Sequence, residues 1–354
     1  MSISSSFSYT AANMNETKNH FHIASAASMN RRALESAFPS VMTRREVLRS
    51  ALLGTFGLLV SPALAKGAGL LLEQLQRFDG KDVFTRIVNQ SSAEHWNRLP
   101  IGELIGKIAL ELKGTPYVGF TLELSKDAEY CVVNLKGLDC VTFFEDSLCL
   151  ARMIKRGKSS PEDLLAEVQT TRYRGGKMGD FTTRLHYTTD WFVDNEAKGV
   201  VKILTPDLPG AQPFTQKVGI MSEHPENYRQ LAAHPELLPT IRLAEEKINA
   251  RSLKYLPMDK LAAAEHLLQT GDIVGVATAE QGIDIAHTGL CIKDEQGVVH
   301  FMDASSSRRS MKVTLEPEIS KCLNWSSKLT GVMIARPLEV RKALELPASG
   351  SLRS

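Results

Sequence analysis

Leu138-Asp139-Cys140-Val141-Thr142-Phe143-Phe144-Glu145 is the stretch on which the reading of this chain turns. Val141, Phe144, Leu148 and Ala151 recur at helical spacing and mark one apolar stripe. Asp139 is a favoured N-cap type, and Glu145 adds charge near the first turns. Gly157 stops the pattern, with Arg152, Lys155 and Arg156 in its last turn, where the helix dipole favours cations. Cys140 is therefore predicted to open a helix. Unpaired N–H groups and the positive dipole end favour a thiolate there, and the thiolate is the nucleophilic form of cysteine. Taken alone, the residue fits a small buried core thiol as well. Its partners lie further along the chain.

The chain has 354 residues, a net charge of +2, 43% apolar and 23% charged residues, an ordinary globular composition. A balance so close to neutral gives no case for nucleic acid as a partner. Residues 1–41 are rich in Ser, Asn and Ala without a period and read as a disordered leader. Arg44-Arg45 then precede an apolar stretch from Ala51 to Leu64 that ends in Ala63-Leu64-Ala65. Together these read as a signal peptide over 42–65, of the twin-arginine type, cleaved near Ala65. The stretch falls short of the ~20 residues of a spanning helix. The expectation is a periplasmic protein with no stable membrane anchor after cleavage. Residues 66–112 read as an N-terminal helical segment, with stripes at Leu70, Leu71, Leu75 and Phe78 and at Ile101, Leu104, Ile105, Ile108 and Leu112. A catalytic domain over 113–340 and a flexible tail over 341–354 complete the expected organisation.

Cysteines 131, 140, 149, 291 and 322 make an odd number, which in an oxidising compartment leaves an intermolecular or free thiol. With Cys140 free, the other four allow up to two bridges or none. No Cys/His cluster has zinc spacing, so neither metal nor cofactor is expected. Gly175 to Pro213 reads as irregular and holds Arg184-Leu185-His186-Tyr187. Such a polar and aromatic stretch suits a binding loop, or equally a loop that packs over the core. Further helices are expected from Pro161 and over Pro239–Ala250.

Ile285-Ala286-His287-Thr288-Gly289-Leu290-Cys291-Ile292 and Val298-Val299-His300-Phe301-Met302-Asp303-Ala304 read as two strands joined by a turn cluster ending in Gly297. A loop of three or five residues would set 292 opposite 298 and hence His287 opposite Asp303. Directly opposed side chains lie about 4.5–5.5 Å apart at Cβ, within hydrogen-bonding reach. His300 would point to the other face. A thiol at a helix start, an imidazole on a strand and a carboxylate on the next strand make a nucleophile, a base and an orienter.

The residues also carry a resemblance. Gly114-Thr115-Pro116-Tyr117, Leu138-Asp139-Cys140, Gly271-Asp272-Ile273-Val274, Ala286-His287-Thr288-Gly289 and Asp303-Ala304-Ser305 resemble the NlpC-type branch of papain-like cell-wall hydrolases. The segment Pro116 to Glu123, the run Asp139 to Glu145 and the loop Arg184 to Tyr187 are similar to its N-acetylmuramoyl-L-alanine amidase-like subgroup. The resemblance implies an α+β fold in which a helix bearing the cysteine packs on an antiparallel sheet bearing the histidine. It implies hydrolysis of an amide in peptidoglycan or muropeptides, with Cys140 as nucleophile, His287 as base and Asp303 as third polar residue. Tyr117 would lie beside the nucleophile, and Arg184, His186 and Tyr187 would bind substrate, Arg184 by holding a carboxylate. Two positions depart from the pattern: Asp303 stands where histidine is usual, and Phe120 where relatives usually carry glycine. A D-glutamyl endopeptidase, a thiol acyltransferase and a non-catalytic binder of wall fragments are the alternatives on the same residues.

Overall fold

The computed structural model describes residues 77–307 and 310–340. The expected leader, the signal peptide, the tail and the stripe at Leu70, Leu71 and Leu75 lie outside the described residues. Phe78, assigned to that stripe, instead begins the two-residue strand β1 (Phe78–Asp79), which pairs in parallel with β2 (Val133–Asn134). Two helices follow β1: α1 (Lys81–Ala93) and α2 (Ile101–Glu111). The cysteine helix is α3 (Cys140–Lys155), and α4 (Pro161–Arg172) comes next, started by a capping box between Ser160 and Asp163.

The span 175–213 is more regular than its composition suggests. It holds α5 (Thr188–Ala197), β3 (Val201–Ile203) and the start of β4 (Gln212–Phe214). Short helices α6 (Ile220–Glu223) and α7 (Arg229–Ala233) lead to α8 (Leu238–Asn249), close to the expected helix. Then come β5 (Leu253–Pro257), α9 (Met258–Ala264), β6 (Ile273–Thr278), β7 (Ile285–Lys293), β8 (Val299–Ser305), β9 (Lys312–Glu318), α10 (Ile319–Cys322) and β10 (Leu329–Pro337).

Strands β3 to β10 form one sheet, ordered β4-β5-β10-β6-β7-β8-β9, with β3 also paired to β10. Every pairing in it is antiparallel. The architecture is α+β, as expected. Alternation along the strands divides the core into two sides. Leu290, Ile292, Met302, Ala304, Met333 and Ala335 face α1 to α4. Cys291, Phe301, Val332 and Ile334 face α9, α10 and Leu323. Each Leu, Ile, Val, Met or Phe among them, fully buried, contributes about 1.5–3 kcal/mol. The helical side also holds Phe84, Ile87, Leu104 and Ile108, so the expected boundary near residue 112 runs through one continuous core.

α3 lies between α2, α4 and the strands β7 and β8. It is buried from Thr142 to Ile154 on every side, wider than the single stripe predicted. Its buried charges are paired, as burial requires. Glu145 takes Arg172 at 2.6 Å and Trp191 Nε1 at 2.8 Å, and Arg152 takes Glu167 at 2.9 Å.

Candidate active site

Asp139 caps α3 as its residue type predicts. Its carboxylate accepts the N–H groups of Val141 and Thr142 at 3.0 and 2.8 Å, and Thr142 Oγ1 returns the bond to the Asp139 N–H at 2.9 Å. A capping box of this kind is worth about 1 kcal/mol and fixes where the helix begins. Cys140 is thereby its first residue, 8% exposed. One bond ties that residue to the sheet: Thr288 Oγ1 donates to the Cys140 carbonyl at 2.8 Å. His287 is the preceding residue of β7, so the bond holds the start of α3 against the strand that carries the imidazole.

His287 Nε2 stands 2.6 Å from Asp303 Oδ2, and the charge of Cys140 acts on the same imidazole. With Nε2 engaged by the carboxylate, Nδ1 is the nitrogen left for the sulfur. Asp303 is 4% exposed, and its other oxygen accepts from Thr314 Oγ1 at 3.3 Å. Burial alone would lower the His287 pKa. The charge on Cys140 and the hydrogen bond that the imidazole donates to Asp303 outweigh it, and the value rises to about 10. Rings of Trp325 and Phe301 stand edge-on to the imidazole, at 5.6 and 6.1 Å between centroids.

The hairpin register differs from the expected one. Ile292 faces His300, not Val298, and the β7–β8 pairs end at Leu290 opposite Met302. Asp294 is the cause. Its carboxylate accepts from Gln296 and Val298 N–H at 2.9 and 2.8 Å, which keeps both Asp294 and Val298 in the turn. The shift is two residues, so the face is preserved. Carried on past the last pair, this register makes His287 and Asp303 diagonal neighbours, which long side chains still bridge. Gly289 permits the close approach: a Cβ there would lie 2.6 Å from the Phe301 ring. His300 bonds elsewhere, to Asp294 and to the Glu316 carbonyl.

Tyr117 is beside the thiol. It forms a bridge with Leu138, and its phenol is held protonated by burial and by the charges of Cys140 and Asp139. The other three expected binding residues are spent on internal bonds. Arg184 is buried, 2.7 Å from Glu123 and 3.1 Å from Glu129, with its guanidinium over the Phe181 ring. Burial acts to lower its pKa, and those two carboxylates more than restore it. His186 Nε2 meets the Phe181 carbonyl at 2.7 Å, and burial pushes its pKa well below the usual imidazole range. Tyr187 donates to Glu245 at 2.6 Å and accepts from the Met221 N–H at 3.2 Å. None of these partners belongs to the Cys140–His287–Asp303 group. The carboxylates that the Arg184 guanidinium holds here are those of Glu123, in the loop that follows Tyr117, and of Glu129.

Residues 107–324 match a family model described as AmiA-like, N-acetylmuramoyl-L-alanine amidase-like. The chain belongs to this AmiA-like family. A search of the curated proteins finds no match. Among solved structures, an N-acetylmuramoyl-L-alanine amidase from Bacteroides uniformis is 29% identical, with a TM-score of 0.61. The likeness covers 67% of this chain and 98% of that one. A Bacteroides fragilis protein described as a candidate xylanase is 32% identical over 64% of this chain and 98% of its own, with a TM-score of 0.58. A Legionella pneumophila protein of the DUF1460 family model, 19% identical over 74% of this chain and 96% of its own, shares the fold at a TM-score of 0.57.

In this AmiA-like chain, sequence reasoning missed Thr288 and Trp325. Thr288 was visible only as a member of the Ala286-His287-Thr288-Gly289 segment. Trp325 follows α10, and nothing local ties it to a histidine 38 positions earlier. Among the described residues, no group of His, Cys, Asp and Glu is arranged to hold a metal ion. All five cysteines are unpaired. No helix among the described residues is long and apolar enough to cross a membrane.

Proposed function

We propose that this AmiA-like protein is a cysteine amidohydrolase of the NlpC-type, papain-like kind, acting at the bond between muramic acid and L-alanine. One observation carries the reading: His287 stands 2.6 Å from Asp303 on a strand that the neighbouring Thr288 ties, at 2.8 Å, to the Cys140 carbonyl at the start of α3. The Cys140 sulfur attacks the amide carbon, and the carbonyl electron pair moves to oxygen. His287 then gives its proton to the departing nitrogen, the C–N bond breaks and an acyl-enzyme remains. Water, deprotonated by His287, releases the acid and restores the thiol. Asp303 holds the imidazole orientation and offsets its charge. Tyr117, kept protonated beside the sulfur, has an O–H to donate to the developing oxyanion. Glycoside hydrolysis would call for a pair of flanking carboxylates, and the groups that act on His287 are a thiol and a single carboxylate. From Arg44-Arg45, the apolar stretch and Ala63-Leu64-Ala65 we also infer export to the periplasm, where this substrate lies.

Mass spectrometry of muropeptides after incubation tests the reading. Release of intact stem peptide from disaccharide is expected. Cleavage inside the stem would identify the endopeptidase instead. Cys140→Ala abolishes turnover, and Cys140→Ser is nearly as inactive, because a hydroxyl ionises far less readily than a thiol. Iodoacetamide labels Cys140 ahead of Cys131 and Cys322, whose thiols burial pushes up to about 12. An active alanine variant would refute the assignment.

A further inference from the structure

The loop after Tyr117 has an apolar rim that the fold does not use. Val118, Leu124 and Met311 are 37%, 39% and 46% exposed. Phe120 is half-buried, yet it packs into none of the hydrophobic clusters among the described residues. Backbone bonds join this rim to the nucleophile. The Tyr117 N–H donates to the Met311 carbonyl at 2.9 Å, and the Val118 N–H to the Leu138 carbonyl at 3.0 Å. Gly119 runs along the phenol, so that a Cβ there would lie 3.9 Å from Tyr117 Oη.

Phe120 has a φ of +63°. A bulky residue in the left-handed region is strained, where glycine would not be, and such strain persists only when neighbours impose it. The imposing contacts are visible. The Phe120 carbonyl accepts from the Glu123 N–H at 3.0 Å. Arg184 grips the Glu123 carboxylate at 2.7 Å, and Arg229 Nη1 donates to the Glu123 carbonyl at 2.9 Å. Two arginines from beyond the loop thus fix a turn whose first residue is a strained aromatic. For the fold alone, glycine would serve better at this position.

We propose that Phe120 is a specificity-determining residue, its ring forming the platform on which a saccharide ring of the substrate rests beside Cys140. The inference rests on the amidase reading above. A pyranose presents a flat C–H face of about the size of a phenyl ring, and aromatic faces attract such partly positive C–H edges. An alanyl methyl of the stem peptide would leave most of the ring uncovered. Val118 and Leu124 extend the apolar rim on either side in sequence.

Calorimetric titration of the full chain carrying Cys140→Ala tests this, with a disaccharide-bearing muropeptide and the sugar-free stem peptide as probes. Adding Phe120→Gly weakens muropeptide binding about tenfold, the factor that about 50 Å² of apolar contact supplies. Any affinity for the stem peptide stays the same, and the melting temperature does not fall, because glycine accepts the positive φ. Phe120→Leu, apolar but not flat, loses affinity as well. Unchanged muropeptide binding overturns the proposal, as does an equal loss for both probes. If the Cys140→Ala chain binds neither probe, the amidase reading itself fails.

Discussion

His287 keeps a proton that an ordinary imidazole gives up near pH 6.5, and holds it to about pH 10. Because the folded value is the higher one, this protonation stabilises the fold in full below pH 6.5. The contribution is lost as pH rises through about 10. Asp303→Asn removes the charge that, directly and through its hydrogen bond, raises the value, so the basic limb of the rate profile moves to lower pH. Turnover falls by a factor on the order of 10²–10⁴, as when the carboxylate of a triad loses its charge. His300→Ala leaves both measurements alone, since His300 is bound to Asp294 and Glu316. A rate profile unmoved in Asp303→Asn would remove Asp303 from the site. The pairing of His287 with Asp303 was legible although the register was not. A strand repeats its faces every two residues, so an error of two kept both side chains on one side. The Asp294 turn that caused the shift depends on a side chain accepting two N–H groups, which hydropathy patterning does not register.

Among the elements, the long polar stretch before β3 was the hardest to read. Arg184, His186 and Tyr187 have the composition of a binding loop, but their polar atoms face inward to Glu123, the Phe181 carbonyl and Glu245. Pairs that meet across 61 and 58 positions leave no local trace in the sequence. Helix α5 was missed because Thr189, Asp190 and Asn195 are among its buried residues, so no apolar stripe marks it. Helix α3, by contrast, carries its cap, Asp139, beside Cys140. Arg184→Lys keeps the charge and loses the fork, leaving Glu123 and Glu129 poorly matched. Stability falls by about 2 kcal/mol, or about 4–8 °C in melting temperature, and KM rises because the loop after Tyr117 is released. A rise in KM with no change in melting temperature would instead return Arg184 to direct contact with substrate.

For the whole molecule, the proposed export makes a definite expectation. Protein recovered from the periplasm begins near Lys66, by N-terminal sequencing, and is active in that form. Recovery of only the uncleaved chain in the cytosol would oppose it. Trimming into α1 is not tolerated, because Phe84, Ile87, Leu104 and Ile108 belong to the same core as Met302 and Met333. The sheet adds a constraint on the order of events. β10 follows every other strand in sequence, yet it lies inside the sheet, against β6 on one edge and β5 and β3 on the other. While the chain is being synthesised, β3, β4 and β5 have no route to the β6–β9 half of the sheet. The ribosome must deliver β10 before those two groups can join. A premature stop a few residues short of Leu329 would therefore remove the strand that joins them, although Cys140, His287 and Asp303 would all have been translated.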